Sequence, residues 1–252
     1  MRIASLVCLG MIVAFAASSI PRMYTCPAAD TPPVIDGELN DAAWRKAPWS
    51  TEFVDIEGDA RPKPRFRTRM KMLWDDRYLY VAAELQEPDV WGTLTEHDSV
   101  IFRDNDFEVF LDPGGKAIEY FEFEINALNT SWDLYLAKPY RKGGKADNSW
   151  KIPGLRTGVK LNGTLNRPED RDNGWTVELA FPWDAFRGRA SANFPPRSGD
   201  VWRVNFSRVE WRSRPNVRAR GEKEDNWVWS PQGVVDMHRP EQWGFVRFGG
   251  SK

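Results

Sequence analysis

Two neighbouring segments alternate acidic and apolar residues, and this pattern restricts the possible fold more than any other feature of the chain. In DNDFEVFLDP, which begins at residue 104, acidic residues recur at alternate positions, and YFEFEINALN, which begins at residue 120, repeats the pattern. A period of two is that of a β-strand with two unlike faces. If the two strands pair, Glu108 comes within cross-strand reach of Glu122 or Glu124.

Other segments alternate in the same way and are separated by turn residues. Asp75-Asp76 separates RTRMKMLWD from RYLYVAAELQE, and Pro113-Gly114-Gly115 joins the two acidic strands. Such spacing predicts hairpins. The pattern as a whole predicts an all-β fold: an antiparallel β-sandwich, jelly-roll or immunoglobulin-like, with about ten strands and one or two short helices.

The aromatic content and the charge balance narrow the classes of function. The chain has 13 Trp and 14 Phe among 252 residues, and its formal net charge is -1. Large rings in alternating strands are typical of core and cross-strand packing. A chain with no excess of positive charge lacks the electrostatic footprint of nucleic-acid binding, so no nucleic-acid partner is expected.

The first residues have the features of an export signal. Arg2 precedes an apolar run from Leu6 to Ala17, and small residues follow. This pattern predicts a signal peptide over residues 1–19, with a cleavage site that could extend to about residue 29, and a secreted or periplasmic protein. No later stretch is apolar enough to span a membrane. A single domain is expected over residues 30–250.

The two cysteines fit this interpretation. Cys8 falls inside the predicted signal and Cys26 lies shortly after it. The exported chain would then carry one thiol and no internal disulfide. Its stability would depend on the packed core.

A polar sheet face can bind a ligand or can be a structural ion network, and the spacing leaves both open. Carboxylate and amide groups together can bind sugar hydroxyls, since each hydroxyl both donates and accepts a hydrogen bond. An aromatic ring could then pack on the apolar face of the sugar. The candidates for ligand contact are Phe102, Asp106, Glu108, Glu124, Asn126, Asn205, Ser207 and Trp229.

The order of segments resembles the family 9 carbohydrate-binding modules and, more loosely, the DOMON-like β-sandwiches. The resemblance rests on VIDGELNDAAW, MKMLWDDRYLYVAAEL, DNDFEVFLDP, FEFEINALNTSWD, GWTVELAFPW, WRVNFSRVEW, and the closing WSPQG with QWGFVRF. It implies a jelly-roll-like sandwich that holds structural calcium and binds sugars in a slot between two aromatic rings. It also implies a polysaccharide or oligosaccharide partner, xylan-derived or other, and a role in polysaccharide breakdown beside a separate glycoside hydrolase.

Carried over residue by residue, the resemblance assigns roles to a few positions and leaves others unmatched. Glu108 corresponds to a glutamate that contacts sugar, and Phe102 corresponds to the first ring of the slot. The second ring falls near Met237 or His238, where Trp229 would have to substitute. The family's arginine and glutamine are replaced here by Glu124 and Ser207, so a different binding set is expected.

Two alternatives remain at this point. Glu108 and Glu124 could act as the two carboxyls of a glycoside hydrolase. Alternatively, the chain could be a calcium-stabilised scaffold for a protein partner, with Asp104 and Asp112 as the candidate metal ligands because calcium prefers hard oxygen donors. No organic cofactor is expected.

Overall fold

The computed structural model describes residues 20–250. The predicted signal peptide over residues 1–19, including Cys8, lies outside the described residues. The prediction of an all-β sandwich is confirmed: residues 20–250 form thirteen strands and five 3-10 helices of three to five residues, without an α-helix. No helix in this part of the chain is long and apolar enough to cross a membrane.

The thirteen strands form two sheets. In chain order they are β1 (Met23–Pro27), β2 (Val54–Asp55), β3 (Thr68–Trp74), β4 (Tyr78–Gln86), β5 (Asp106–Asp112), β6 (Tyr120–Asn126), β7 (Ser131–Leu136), β8 (Ala146–Asp147), β9 (Arg156–Asn162), β10 (Gly174–Pro182), β11 (Val201–Glu210), β12 (Asp225–Val228) and β13 (Gly244–Gly249). The larger sheet has the order β1-β13-β11-β5-β6-β7-β8, with β12 beside β11 and β2 beside β12. The smaller sheet has the order β3-β4-β10-β9.

The core lies between the two sheets and is rich in aromatic rings. Phe107 and Val109 of β5 face inwards with Phe123 of β6 and meet Phe181 of β10. Because successive residues of a strand point to opposite faces, burial of these side chains turns the acidic residues of β5 and β6 to the outer face of the larger sheet. The register therefore follows from the hydrophobic pattern.

The outer face of the smaller sheet is covered by residues 29–47. The indole of Trp44 donates a hydrogen bond to Glu178 of β10, and the backbone amides of Asp36 and Gly37 donate to the same carboxylate. Gly158 of β9 has no space for a side chain, since an added Cβ would lie 2.6 Å from the backbone of Asp36. The outer face of the larger sheet, by contrast, contains the pocket described below.

One arginine lies fully buried at the end of the sandwich. Arg208 of β11 has no exposed side-chain surface and contacts Glu87 at 2.7 Å and Glu210 at 2.8 Å. It also donates to the hydroxyl of Thr68 and to the carbonyl of Gln86, which ties the larger sheet to β3 and β4. The last residues of β11 therefore contribute to a buried ion network.

The first strand extends the domain beyond its predicted start at residue 30. β1 pairs in parallel with β13, from Met23 opposite Phe245 to Pro27 opposite Gly249. Cys26 is completely buried in this strand. A cleavage site as late as residue 29 would remove β1 and open the core at this position.

The strand count exceeds the predicted ten because three elements carry no signal of their own. β2 and β8 have two residues each, and β1 lies in the segment into which the predicted signal peptide could extend. Two-residue strands arise from a neighbouring strand's hydrogen bonds, here those of β12 and β7, and not from local alternation.

Candidate functional site

A pocket of about 360 Å³ lies on the outer face of the larger sheet. Its floor is formed by β5, β6, β7, β11 and β12, and its walls come from the segments around residues 102, 140 and 236. The lining residues are Ile56, Phe102, Glu108, Phe110, Glu122, Glu124, Trp132, Leu134, Tyr140, Val209, Glu224, Asn226, Val235, Asp236, Met237 and His238.

Three glutamates form the polar part of the floor. Glu108 of β5 lies directly opposite Glu124 of β6. Glu122 lies two residues before Glu124 on β6 and points to the same face. Oxygen atoms of Asp106, Glu108 and Glu124 all lie within 4.8 Å of one another. The sequence predicted this juxtaposition from the alternation alone.

These carboxyl groups are buried without a cation beside them. Burial raises the pKa of Glu108 to about 7, and the interaction with the Ser207 hydroxyl acts to lower this pKa. Burial and the nearby Glu108 raise the pKa values of Glu122 and Glu124 well above their usual range. Among the residues that line the pocket there is neither lysine nor arginine. The floor therefore offers hydrogen-bonding groups at a site that disfavours additional negative charge.

Aromatic rings stand at both ends of the floor. Phe102, which is 38% exposed, lies beside Trp132 with ring centroids 6.4 Å apart, and its backbone amide donates to Glu124. Tyr140, which is 44% exposed, lies at the other end with its ring against His238 at 4.4 Å. Exposed rings that flank hydrogen-bonding carboxyls suit a sugar ring, which has apolar faces and a polar edge.

The Tyr140 end of the pocket rests on a second apolar cluster. Tyr120, Phe110 and Trp243 pack together on the outer face of the larger sheet. His238 accepts or donates a hydrogen bond with the Tyr120 hydroxyl at 2.9 Å, and burial lowers the pKa of its imidazole to about 4. His238 is therefore neutral near pH 7 and adds no positive charge to the pocket.

Of the eight predicted contact residues, three line the pocket. These are Phe102, Glu108 and Glu124. Asp106 lies on the same face as Glu108 but outside the lining; it is fully buried and accepts a hydrogen bond from the backbone amide of Val209. Ser207 lies opposite Glu108 on the neighbouring strand β11 and is also fully buried and outside the lining.

The two predicted amide contacts are used by the backbone of the protein. Asn126 accepts hydrogen bonds from the amides of Leu128 and Thr130 and so closes the turn after β6. Asn205 donates to the carbonyl of Ser230 and accepts from its amide. Both side chains are fully buried, so neither reaches the pocket.

Trp229 does not provide the second aromatic wall. Its ring is 1% exposed and packs against Phe206 and the backbone of Gly244 in the core. Trp229 follows β12 on the same inward-facing side as Trp227, which is buried as well. Tyr140 occupies the position for which Trp229 was considered.

Asp104 and Asp112 do not form a common calcium site. They flank β5 and are roughly 25 Å apart at the rise of about 3.3 Å per residue of an extended strand. Asp104 accepts hydrogen bonds from Thr93, Leu94 and Asn126, which leaves little capacity for a metal. Asp112 accepts one from Ala117 in a turn, and no second carboxylate accompanies it among the metal-type clusters of residues 20–250. Calcium, which takes six to eight oxygens, stays a prediction for this chain.

The residues that sequence reasoning did not assign come from distant parts of the chain. Tyr140 follows β7 in the segment KPYRKGG, and His238 belongs to the segment between β12 and β13. Pro139 and the glycines after Lys142 mark a turn, and an aromatic residue in a turn is the one signal that pointed to Tyr140. Glu122 was visible in the alternation but was not selected as a contact.

We expect the unliganded protein to lose stability as pH rises from about 5 to about 8. Folding raises the pKa of Glu108 from 4.5 to about 7. Its contribution to the free energy of unfolding is therefore fully present below pH 4.5, the pKa in the unfolded chain, and is lost as pH rises through about 7, the pKa in the folded protein. The loss from this group is on the order of 3 kcal/mol. Urea denaturation across this pH range measures it.

Two variants separate this effect from general charge effects. Glu108→Gln removes one of the buried titrating groups without changing its shape and should make the pH profile shallower. Glu169→Gln, at an exposed position, should have the same pH profile of stability as the wild type. Equal profiles for wild type and Glu108→Gln would contradict the assignment.

Comparison by sequence gives one family and several relatives. The model of the family described as "Carbohydrate family 9 binding domain-like" matches residues 35–199. Endo-1,4-beta-xylanase A of Thermotoga maritima is 25% identical over 162 residues, which cover 62% of this chain and 12% of the xylanase. Endo-1,4-beta-xylanase C of Paenibacillus barcinonensis is 32% identical over 101 residues, covering 40% of this chain and 8% of that enzyme. The chain thus spans a small part of these relatives.

Comparison by structure gives the same fold. A family 9 carbohydrate binding module from Caldicellulosiruptor kristjanssonii, solved in complex with cellotriose, superimposes with a TM-score of 0.61 at 18% identity, over 92% of this chain and 95% of that one. A chain from Bacteroides uniformis superimposes with a TM-score of 0.67 at 14% identity, over 90% and 99% of the two chains. At these identities the likeness establishes the architecture.

Proposed function

The chain belongs to the carbohydrate family 9 binding domain-like family, and on that premise we propose that it is a secreted or periplasmic sugar-binding protein whose pocket holds an uncharged saccharide unit. The observation that carries the proposal is the combination of exposed rings and buried carboxyls in one pocket. Phe102 and Tyr140 lie in the same pocket as Glu108, Glu122 and Glu124.

The hydrogen-bonding capacity of the floor fits hydroxyl groups. Oε2 of Glu122 is buried and has no hydrogen-bond partner among the described residues. A sugar hydroxyl that donates to this oxygen would satisfy it, and a buried acceptor that gains its partner recovers about 1–3 kcal/mol. Uronic acids carry a carboxylate and are disfavoured, since the floor contains no cation to pair with it.

The relatives support a polysaccharide-derived ligand. The Caldicellulosiruptor module was solved with cellotriose and with glucose, and the sequence relatives are xylanases and an exoglucanase. We therefore propose a β-linked plant-type oligosaccharide as the ligand and a role in polysaccharide breakdown beside a separate glycoside hydrolase.

The geometry supports binding more than hydrolysis. A glycosidase places its two carboxyls on either side of the scissile bond, with the pKa of one group raised and that of the other left low. Glu108 and Glu124 project side by side from neighbouring strands, and the pKa values of both are raised. A ligand would therefore lie on top of the pair and not between its members.

We expect a glycan array to show binding to neutral oligosaccharides, and calorimetry on the best ligand to give one site per chain. Phe102→Ala and Tyr140→Ala should each weaken binding about tenfold, because each removes one stacking surface. The control variant is Val217→Ala. Val217 is 69% exposed and lies outside the pocket, so its replacement should leave sugar affinity unchanged.

Two results would contradict the proposal. One is silence across plant, algal and bacterial glycans with the folded protein. The other is a ligand whose affinity is the same in wild type, Phe102→Ala and Tyr140→Ala, since that ligand would bind elsewhere. Release of reducing ends from a polysaccharide, lost in Glu108→Gln, would instead establish the hydrolase.

A further inference from the structure

A second cluster of ligand-type side chains lies apart from the glutamate floor. His97 and Asp98 occupy the bend before Phe102, and Asp133 lies on β7 on the face opposite Trp132. Nitrogen and oxygen atoms of the three side chains lie within 4.8 Å of one another. None of the three lines the sugar pocket.

The hydrogen bonds of His97 determine which ring nitrogen faces the cluster. Its Nδ1 lies 2.9 Å from the backbone carbonyl oxygen of Ser131, which can only accept. Nδ1 therefore carries a proton and donates it to that oxygen, and Nε2 is the ring nitrogen that faces the cluster. This is the arrangement of a metal-binding histidine, whose other N–H donates to a carbonyl or a carboxylate.

The two carboxylates converge on the same nitrogen. Oδ1 of Asp98 and Oδ1 of Asp133 each lie 3.3 Å from Nε2 of His97. That distance is longer than the roughly 2.7–2.9 Å of a charge-assisted hydrogen bond. Two carboxylate oxygens and a ring nitrogen that converge in this way can surround a cation.

Two further observations mark the cluster as a site. Asp133 is 2% exposed, yet its Oδ2 has no hydrogen-bond partner among the described residues, and neither has Oδ1 of Asp98.

We propose that His97, Asp98 and Asp133 bind a divalent transition-metal ion of the Zn²⁺ type. Zinc is held by histidine nitrogen and carboxylate oxygen at about 2.0–2.2 Å, so neighbouring ligands of a tetrahedral ion are about 3.3–3.5 Å apart. The two distances of 3.3 Å from Nε2 have this length. His97 is half exposed, which leaves a fourth position open to water.

Lys151 is the competing cation of this cluster. Its ammonium group forms an ion pair with Oδ2 of Asp98, on the oxygen that does not face His97. Removal of Lys151 therefore has opposite consequences under the two accounts. If the cluster binds a metal ion, removal of Lys151 strengthens metal binding, because the charge of Asp98 becomes free. If the cluster is only an ion network, removal of Lys151 weakens it.

Titration calorimetry of the metal-stripped, untagged protein with ZnCl₂ tests the proposal. The expected result is one site per chain, with affinity lowered at least about a hundredfold in His97→Gln and in Asp133→Asn, since even the loss of an outer-shell partner costs ten- to a hundredfold. Lys151→Met should bind Zn²⁺ more tightly than wild type. His238→Gln, at the only other histidine, is the matched control and should bind as wild type does.

A second measurement covers the case in which Asp133→Asn fails to fold. Co²⁺ in place of Zn²⁺ gives a visible absorption band whose intensity reports four-coordination, and the half-exposed His97→Gln variant should lose it. Absence of heat and absorbance in the wild type, equal affinity in His97→Gln, or weaker binding in Lys151→Met would each overturn the proposal. The sugar pocket contributes none of these ligands, so the result is independent of glycan binding.

Discussion

Replacing Arg208 with methionine lowers the free energy of unfolding by about 3–5 kcal/mol, which is the cost of breaking a buried ion pair by removing one partner. Arg208 is fully buried between Glu87 and Glu210, both of which are also buried. Methionine fills similar space but leaves two carboxylates in the core without a cation. The loss is measured by urea denaturation at constant pH.

The expected cost arises from the orphaned carboxyls and not from a favourable ion pair. Burial raises the pKa of Glu210 well above its usual range even though Arg208 acts to lower it. Desolvation therefore dominates at this site. Adding Glu87→Gln and Glu210→Gln to Arg208→Met should recover most of the lost stability, because neutral amides cost less to bury than carboxylates.

An exposed arginine provides the matched control. Arg67 pairs with Glu84 near the rim of the smaller sheet, where both side chains retain solvent contact. Arg67→Met should cost no more than about 1 kcal/mol, as surface ion pairs do. Similar losses in Arg67→Met and Arg208→Met would contradict the distinction drawn between them.

Replacing Glu108 with alanine should reduce sugar affinity between tenfold and a hundredfold while leaving the fold intact. A hydrogen bond to a charged group is worth about 1.5–3 kcal/mol, and 1.4 kcal/mol corresponds to a factor of ten. Glu108 lies at the centre of the floor between Phe110 and Glu124. Calorimetry with the best oligosaccharide measures the change.

The free energy of unfolding of Glu108→Ala should rise or stay the same, although its sugar affinity falls. Glu108 is a buried carboxyl beside two others, and its removal relieves repulsion that raises the pKa values of Glu122 and Glu124. Functional sites commonly reduce stability in this way. Glu169→Ala is the control for both measurements, and a fall in melting temperature in Glu108→Ala that accounts for the lost affinity would argue against a contact role.

Sequence reasoning predicted that the acidic side chains of β5 and β6 share one face and that these two strands pair. The period of two is sufficient to place Glu108 and Glu124 together outside the core, because Phe107 and Phe123 must be inside it. It also gave the sandwich, since several alternating strands separated by turns have few other ways to bury their apolar faces.

The parts that could not be predicted depend on what covers each face. Asn126 and Asn205 have the right period for a binding surface, but local turns and a neighbouring loop take up their amides. Tyr140 reaches the pocket because the chain returns across the outer face of the larger sheet after β7. Alternation carries no record of such a return, and it does not show that Trp229, the candidate for the second ring, is buried in the core.

The parallel pairing of β1 with β13 has a mechanical consequence. Met23 begins one strand beside Phe245, and Gly249 ends the other beside Pro27, so residues 23 and 249 lie at opposite ends of the pair. A pulling force applied at these two points acts along the strands. The hydrogen bonds between them are then loaded in shear and must break together, so this pair resists extension of the chain between its two ends.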